Sequence, residues 1–260
     1  MELNDVDIEI LNTLGKFECG FGINANKATT FNLPNLEKSG TIIVKNAITV
    51  NLPNLQQAGE IHAHNATTVN LPNLQQARNI NANKATTVNL PNLQKCIFIN
   101  ADNATTVNLP KLLQSGNIHA PNATKVNLPN LQKAFNIFLS YQIKLDLPNL
   151  KQCTYINAIN ARTLNLPNLE QAGDIDATTA KTFDLPKLQY SGVIDATNAK
   201  TIILPNLQNC GNIYSDNAKK IIIPSHLKRN LKSVPEDCEI IHPDLEATPK
   251  LESFKTFFYK

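Results

Sequence analysis

Leu52-Pro53-Asn54-Leu55 is the stretch on which the reading of this chain turns. Near-copies run from Leu33-Pro34-Asn35-Leu36 to the worn Ile223-Pro224. The prolines are Pro34, Pro53, Pro72, Pro91, Pro110, Pro129, Pro148, Pro167, Pro186, Pro205 and Pro224, each 19 residues from the next, with no insertion or deletion. A fixed short period is the mark of a solenoid, in which each unit buries its apolar side only by stacking on its neighbours.

One unit, Leu52 to Asn70, shows how a coil is built. Leu52, Leu55, Ala58, Ile61, Ala63, Ala66 and Val69 are its apolar or small positions, and Leu71 opens the next unit. Ile61 recurs as isoleucine in every unit from Ile23 to Ile213, and Ala66 recurs from Ala28 to Ala218 wherever the pattern holds. Ile61 and Ala63 lie two apart between Glu60, His62 and His64, the period of a strand with one buried face. Val69 and Leu71 predict a second short strand, with Thr68 and Asn70 outward. Leu52, Leu55 and Ala58 lie three apart behind a proline, which predicts a single 3₁₀-like turn or extended corner. Gly59 and its counterparts are read as the bend into the first strand. A coil this short leaves no room for a long helix, so backbone hydrogen bonds must run between coils as parallel ladders. Asparagines in the columns of Asn54 and Asn70 are expected to stack as amide ladders.

The apolar spacing of Leu55, Ala58, Ile61, Ala63, Val69, Leu71 and Pro72 resembles that of leucine-rich repeats, including the terminal Leu-Pro. Pro-Asn-Leu followed by a Gly-x-Ile-x-Ala strand is also similar to the β-helical receptor L domains and related fungal surface proteins. The resemblance covers about residues 14 to 226. Ala66 stands where that family carries its ladder asparagine, and many strand leucines are alanine, which implies a slimmer, straighter coil than the curved horseshoe. The resemblance implies a partner-binding scaffold and brings no catalytic residues with it.

The expected fold is therefore mainly β: a right-handed parallel β-solenoid, leucine-rich-repeat-like, of about eleven 19-residue coils and roughly 50 Å long. Residues 1–22 are read as an N-terminal cap, with Val6, Ile8 and Ile10 on a strand or short helix. Residues 23–223 form the solenoid. Residues 224–260 are read as a C-terminal cap with a short helix, on which Leu251, Phe254, Phe257 and Phe258 have helical spacing; a tail that docks on a partner is the alternative. The unit Leu128 to Asp146 is the outlier, with Leu139 for alanine and Gln142-Ile143-Lys144-Leu145 for Ala-Thr-Thr-Val.

Bulk properties narrow the function. Charged residues make up 17% of the chain and the net charge is +3, so no nucleic-acid-binding charge pattern is present. No apolar run reaches membrane-spanning length, and the acidic start Glu2 to Asp7 lacks the features of a signal peptide. A cytoplasmic monomer is the expectation; a leaderless secreted or host-directed effector is the alternative. Of the five cysteines, Cys96, Cys153 and Cys210 share one column, three coils apart, too far for disulfides.

Four constellations are candidates for function. Phe98, Phe138, Tyr155 and Ile159 fall on the outward face of the isoleucine strand, with Ile97, Phe135 and Tyr141 at adjoining bends. Aromatic clusters on a rigid ladder mark interaction surfaces, and this patch is read as the site for a protein partner. Asp176 and Asp195 share a column on adjacent coils, with Asp174 and Asp216 nearby, as β-helical glycan-cleaving enzymes present their acids. Arg162, Lys181, Lys200 and Lys219 form a basic column elsewhere, read with the acids as solvated faces. Glu60, His62 and His64 have chelating spacing but no convincing fourth ligand, so no metal is assigned. Thr67-Thr68, Thr86-Thr87 and Thr105-Thr106 form an array of the kind that orders water, interrupted by Lys125 and Lys144. No Gly-rich phosphate loop, nucleophile elbow or Cys-x-x-Cys motif appears, and no cofactor is expected. The reading is a non-enzymatic protein-binding scaffold, with a carbohydrate-binding or glycan-cleaving β-helix as the alternative.

Overall fold

The structure, a computed structural model, describes residues 2–141 and 144–246. It is a parallel β-solenoid of about twelve coils. One long strand per coil builds a twelve-stranded parallel sheet, from Phe17–Asn24 to Leu231–Lys232. A short strand in each coil builds a second wall, divided into two six-stranded sheets. Pairing follows the repeat: Ile61 lies beside Ile80, Ile80 beside Ile99, and Val50 beside Val69. The isoleucine column is buried throughout, from Ile23 at 6% exposure to Ile213 at 0%. The leucines of both corner positions join it, so one dry core runs the length of the molecule.

Two tight corners close each coil. The Leu55 N–H donates to the Leu52 carbonyl at 3.2 Å, and the Ala66 N–H to the Ala63 carbonyl at 3.1 Å. Ala63 and Ala66 are fully buried. A side chain as small as alanine lets the backbone turn this close to the core. The Asn54 side chain stitches the corner to the previous coil by donating from Nδ2 to the Pro34 carbonyl at 2.8 Å. Asn73, Asn92, Asn130, Asn149 and Asn168 repeat the bond at the same length. Where Lys111 replaces asparagine, its Nζ reaches the Asn92 Oδ1 at 2.7 Å instead. On the short strands Asn51, Asn70, Asn108 and Asn127 donate to the Oδ1 of the asparagine one coil earlier at 2.6–2.7 Å. The Asn70 column is thus the expected amide ladder, whereas the amides of the Asn54 column bond proline carbonyls instead of one another. Asn73→Ala is expected to cost about 1 kcal/mol, a single net hydrogen bond, visible as a lower urea midpoint with an unchanged slope.

The structure departs from the sequence reading at the expected bend, and at the two ends it settles what that reading allowed. The long strand begins at Gln57, so Gly59 lies inside it rather than at a bend. Ala77 and Ile80 both face inward although three apart. The intervening position is skipped by the ladder, which pairs Ala77 with Cys96 and then Asn79 with Phe98. This kink, here called a bulge, recurs at the same position in successive coils without changing their one-for-one register, and a simple alternation rule does not see it. Next, Val6, Ile8 and Ile10 lie on a helix, Asp5–Leu11. Asn4 caps it, accepting from the N–H groups of Val6 and Asp7, and the Asp7 side chain returns the bond. Ile8 is buried, while Val6 and Ile10 are exposed. After Pro224 a 3₁₀ turn, Ser225–Asn230, precedes two strands, Leu231–Lys232 and Glu239–Ile241, that add a last rung to two of the sheets. A four-residue helix, Pro243–Glu246, follows. The helical spacing of Leu251 to Phe258 and the side chains of Gln142 and Ile143 lie outside the described residues.

The short-strand wall divides between Lys125–Asn127 and Lys144–Asp146. This is where lysine replaces threonine in two successive coils. Like charges at facing positions oppose pairing, and Lys144 turns instead to Asp146, with Nζ to Oδ2 at 3.1 Å.

Candidate functional site

The bulge column shapes the main concavity of the solenoid. The inward position before it is always small, and Ala77, Cys96, Ser115, Ala134, Cys153 and Ala172 form the floor of a groove of about 850 Å³ that runs across several coils. In the bulge column itself, Gly40, Gly59, Gly116, Gly173, Gly192 and Gly211 are interrupted by Arg78, Ile97, Phe135 and Thr154. At Gly116 the backbone lies so close to the preceding coil that an added Cβ would sit 2.3 Å from the Ile97 carbonyl oxygen. The coils on either side carry Ile97 and Phe135, which are 54% and 65% exposed. Gly116 thus leaves a notch between two apolar side chains two rungs, about 9.6 Å, apart. Lys95, Lys133 and Tyr190 stand along the opposite wall.

The outward face of the long strands carries a second group. Phe138 and Tyr155 meet with ring centroids 5.4 Å apart at 56°, and His119 packs edge-on against Phe138 at 5.2 Å. Asp102 orients that histidine, with Oδ1 2.6 Å from His119 Nδ1, and the Asn83 side chain donates to the other carboxylate oxygen at 2.9 Å. The predicted residues therefore separate. Phe138 and Tyr155 touch. Phe98 does not join them; its ladder neighbours are Asn79 and Asn117, and three rungs separate it from Tyr155. Phe135 belongs to the groove, and Tyr141 and Ile159 are exposed at a corner beyond the strand. The groove and Tyr190 escaped the sequence reading because a bulge breaks the period of two on which it relied. Ile97 and Phe135 in a column that is otherwise mostly glycine were the signal that could have found them.

The other candidates resolve into structural roles. Asp176 and Asp195 lie in register on adjacent strands. Each carboxylate accepts from the N–H and hydroxyl of the threonine two residues on, Thr178 and Thr197, with hydroxyl bonds of 2.7 Å. Asp174 accepts from the Val193 N–H at 2.7 Å. These acids close corners and bulges. Both nitrogens of His62 are engaged, Nε2 with Glu60 at 2.9 Å and Nδ1 with Asn81 at 3.1 Å. His64 stacks on His62 with the rings 5.7 Å apart and nearly parallel. Burial, then the neighbouring His62 and Lys45, hold its pKa below the ordinary histidine value. Among the described residues no three His, Cys, Asp or Glu side chains converge as a metal site, and no helix is long and apolar enough to cross a membrane.

Fold and surface together define a parallel β-solenoid with an apolar groove and an adjoining aromatic face. No protein-family model matches the chain, and no curated protein is significantly similar to it. Among solved structures, the chain is similar to a leucine-rich repeat protein from Bacteroides ovatus. The two are 15% identical, the match covers 85% of this chain and 83% of the other, and the TM-score is 0.33. The fold assignment rests on the strand ladders and buried columns described above.

Proposed function

We propose that the protein is a non-enzymatic scaffold that recognises another protein through the long-strand side of the solenoid. The observation that carries this reading is the Ile97–Gly116–Phe135 notch. It presents two large exposed apolar side chains at a fixed spacing on a hydrogen-bonded ladder, at the edge of an apolar groove. Exposed apolar anchors beside a pocket are what protein interfaces concentrate their energy on. Phe138, Tyr155, Tyr141 and Ile159 extend the surface on the neighbouring coils. The five free thiols, three of them buried, favour work in a reducing compartment.

The test is site-specific photocrosslinking from position 135 and, as a control, from position 87 on the threonine face, followed by affinity measurements on the partner identified. Ile97→Ser with Phe135→Ser is expected to weaken that partner's binding by about thirtyfold or more, the size of one interface hot spot. The fold should be unchanged, because neither side chain is in the core. A folded double variant with full affinity sinks the reading.

A further inference from the structure

Arg162, Lys181, Lys200 and Lys219 form a straight row. The Lys181 N–H donates to the Arg162 carbonyl at 3.1 Å, Lys200 to Lys181 at 2.8 Å, and Lys219 to Lys200 at 2.8 Å. The alanine before each of them, Ala161, Ala180, Ala199 and Ala218, is fully buried, so the backbone beneath the row is fixed. One cation therefore stands on each of four successive rungs, about 4.8 Å apart.

Like charges at this spacing repel, and the end of the row is relieved by an acid: Lys219 pairs with Asp237, as Lys220 beside it pairs with Glu239. Arg162, Lys181 and Lys200 form no ion pair among the described residues. Asp184 lies at the edge of the same shallow hollow and pairs with neither Arg162 nor Lys181. Beside the row run the hydroxyls of Thr163, Thr182 and Thr201, also one per rung and in register. The surface thus repeats a cation and a hydroxyl together along a line.

We infer that this edge binds a linear acidic polysaccharide of the uronate type, lying along the solenoid axis. Such a chain carries one carboxylate and several hydroxyls per sugar, at a repeat close to one rung, so successive sugars meet successive Arg/Lys–Thr pairs. Charge complementarity alone would also admit a nucleic acid. The observations favour the glycan on two counts. Phosphates along one strand of a duplex rise by only about 3.4 Å and fall out of step with the rungs. Single-strand binders stack bases on aromatic side chains, whereas the residues flanking this row are threonines and asparagines, and Phe183 beneath it is fully buried. This site lies on a different wall from the groove and does not depend on it.

The experiment uses the full chain and oligogalacturonate, with a neutral galactan and an oligothymidylate of equal charge as comparators, measured by calorimetry at low and physiological salt. Oligogalacturonate is expected to bind, more weakly at the higher salt, and the neutral glycan is not. The triple variant Arg162→Gln, Lys181→Gln, Lys200→Gln is expected to lose about tenfold or more in affinity, three water-exposed charge contacts together amounting to roughly a decade. The control triple Lys45→Gln, Lys84→Gln, Lys151→Gln removes the same charge elsewhere and should bind as the wild type does. Equal losses in both triples would reduce the effect to net charge and overturn the proposal. So would no binding of oligogalacturonate, or tighter binding of the oligothymidylate. All six positions are exposed or at the surface, and circular dichroism of both triples confirms that folded proteins are compared.

Discussion

Ile118→Asp is expected to cost about 5 kcal/mol or more and to divide the unfolding of the solenoid into two transitions. Ile118 is fully buried, in register between Ile99 and Ile137. The substitution removes a core side chain, worth about 2–5 kcal/mol, and leaves a carboxyl with no partner in a dry column, at about 3–5 kcal/mol if ionised. Ile99 and Ile137, its neighbours in the column, are fully buried and give the new group no hydrogen-bonding side chain. In a globular core such a change unfolds the whole domain. In a solenoid each coil contacts only its neighbours, so the break is local, and the coils on either side keep their own interfaces. Hydrogen exchange is the direct readout. Amides of Ile99, Ile118 and Ile137 should lose protection, while those near Ile61 and Ile175 keep it. Ile118→Val, which keeps most of the volume, should cost no more than about 1.5 kcal/mol. A single transition with an unchanged midpoint in the aspartate variant would mean that the isoleucine column does not hold the coils together.

That column was legible in the sequence because one residue type returns at one position in every coil, and only a stacked coil buries it each time. The same logic revealed the asparagine ladders and the corner at Leu52 to Leu55. What it missed has a common physical cause. Strand alternation assumes that successive residues of a strand point to opposite faces, and around the position of Gly59, Ile97 and Phe135 they do not: Ala77 and Ile80, three apart, are both buried. The skipped residue shifts everything before it by one, turning the supposed bend into strand and placing Cys96 and Cys153 on the floor of a groove. The aromatic patch was visible as composition but not as arrangement. Phe98 and Tyr155 stand in one column, yet three rungs part them, and only Phe138 reaches Tyr155. At the N-terminus Val6, Ile8 and Ile10 fit both a strand and a helix. Asn4 with Asp7 three residues later is the capping pattern that decides for the helix.

Function follows from the same distinction between repeat and exception. Where the repeat is kept, side chains satisfy one another from coil to coil, and the surface is a closed set of amide and threonine ladders. The features left over are departures from it: Ile97 and Phe135 in a glycine column, Arg162 to Lys200 in a threonine column. A solenoid tolerates such departures on its outside because the core beneath them, alanine and isoleucine, is unchanged.

The buried thiols make the remaining large prediction. Burial pushes the Cys96 and Cys153 thiols up from the ordinary 9.0 to about 12. Both line the groove floor with little exposure, at 4% and 6%. In the unfolded chain these groups ionise near pH 9, while in the folded protein they hold their protons to about pH 12. Their contribution to stability is therefore fully present below pH 9 and is lost as the pH rises from there towards 12. Its size is on the order of 4 kcal/mol for each thiol once the pH reaches 12. The double variant Cys96→Ala, Cys153→Ala should match the wild type near pH 7, since Ala77, Ala134 and Ala172 already occupy the same column. Between pH 9 and 11 its melting temperature should fall far less. The two proteins share every other titratable group, so the difference between the two curves isolates the thiols. Alkylation gives a second reading. At pH 8 the thiolate of a group with pKa about 12 is roughly a thousandfold rarer than that of an ordinary cysteine. Iodoacetamide should therefore label both sites about a thousandfold more slowly in the folded protein than in urea. Parallel alkaline curves, or equal labelling rates in the two states, would show the groove floor to be wet and the thiols to be outside the core.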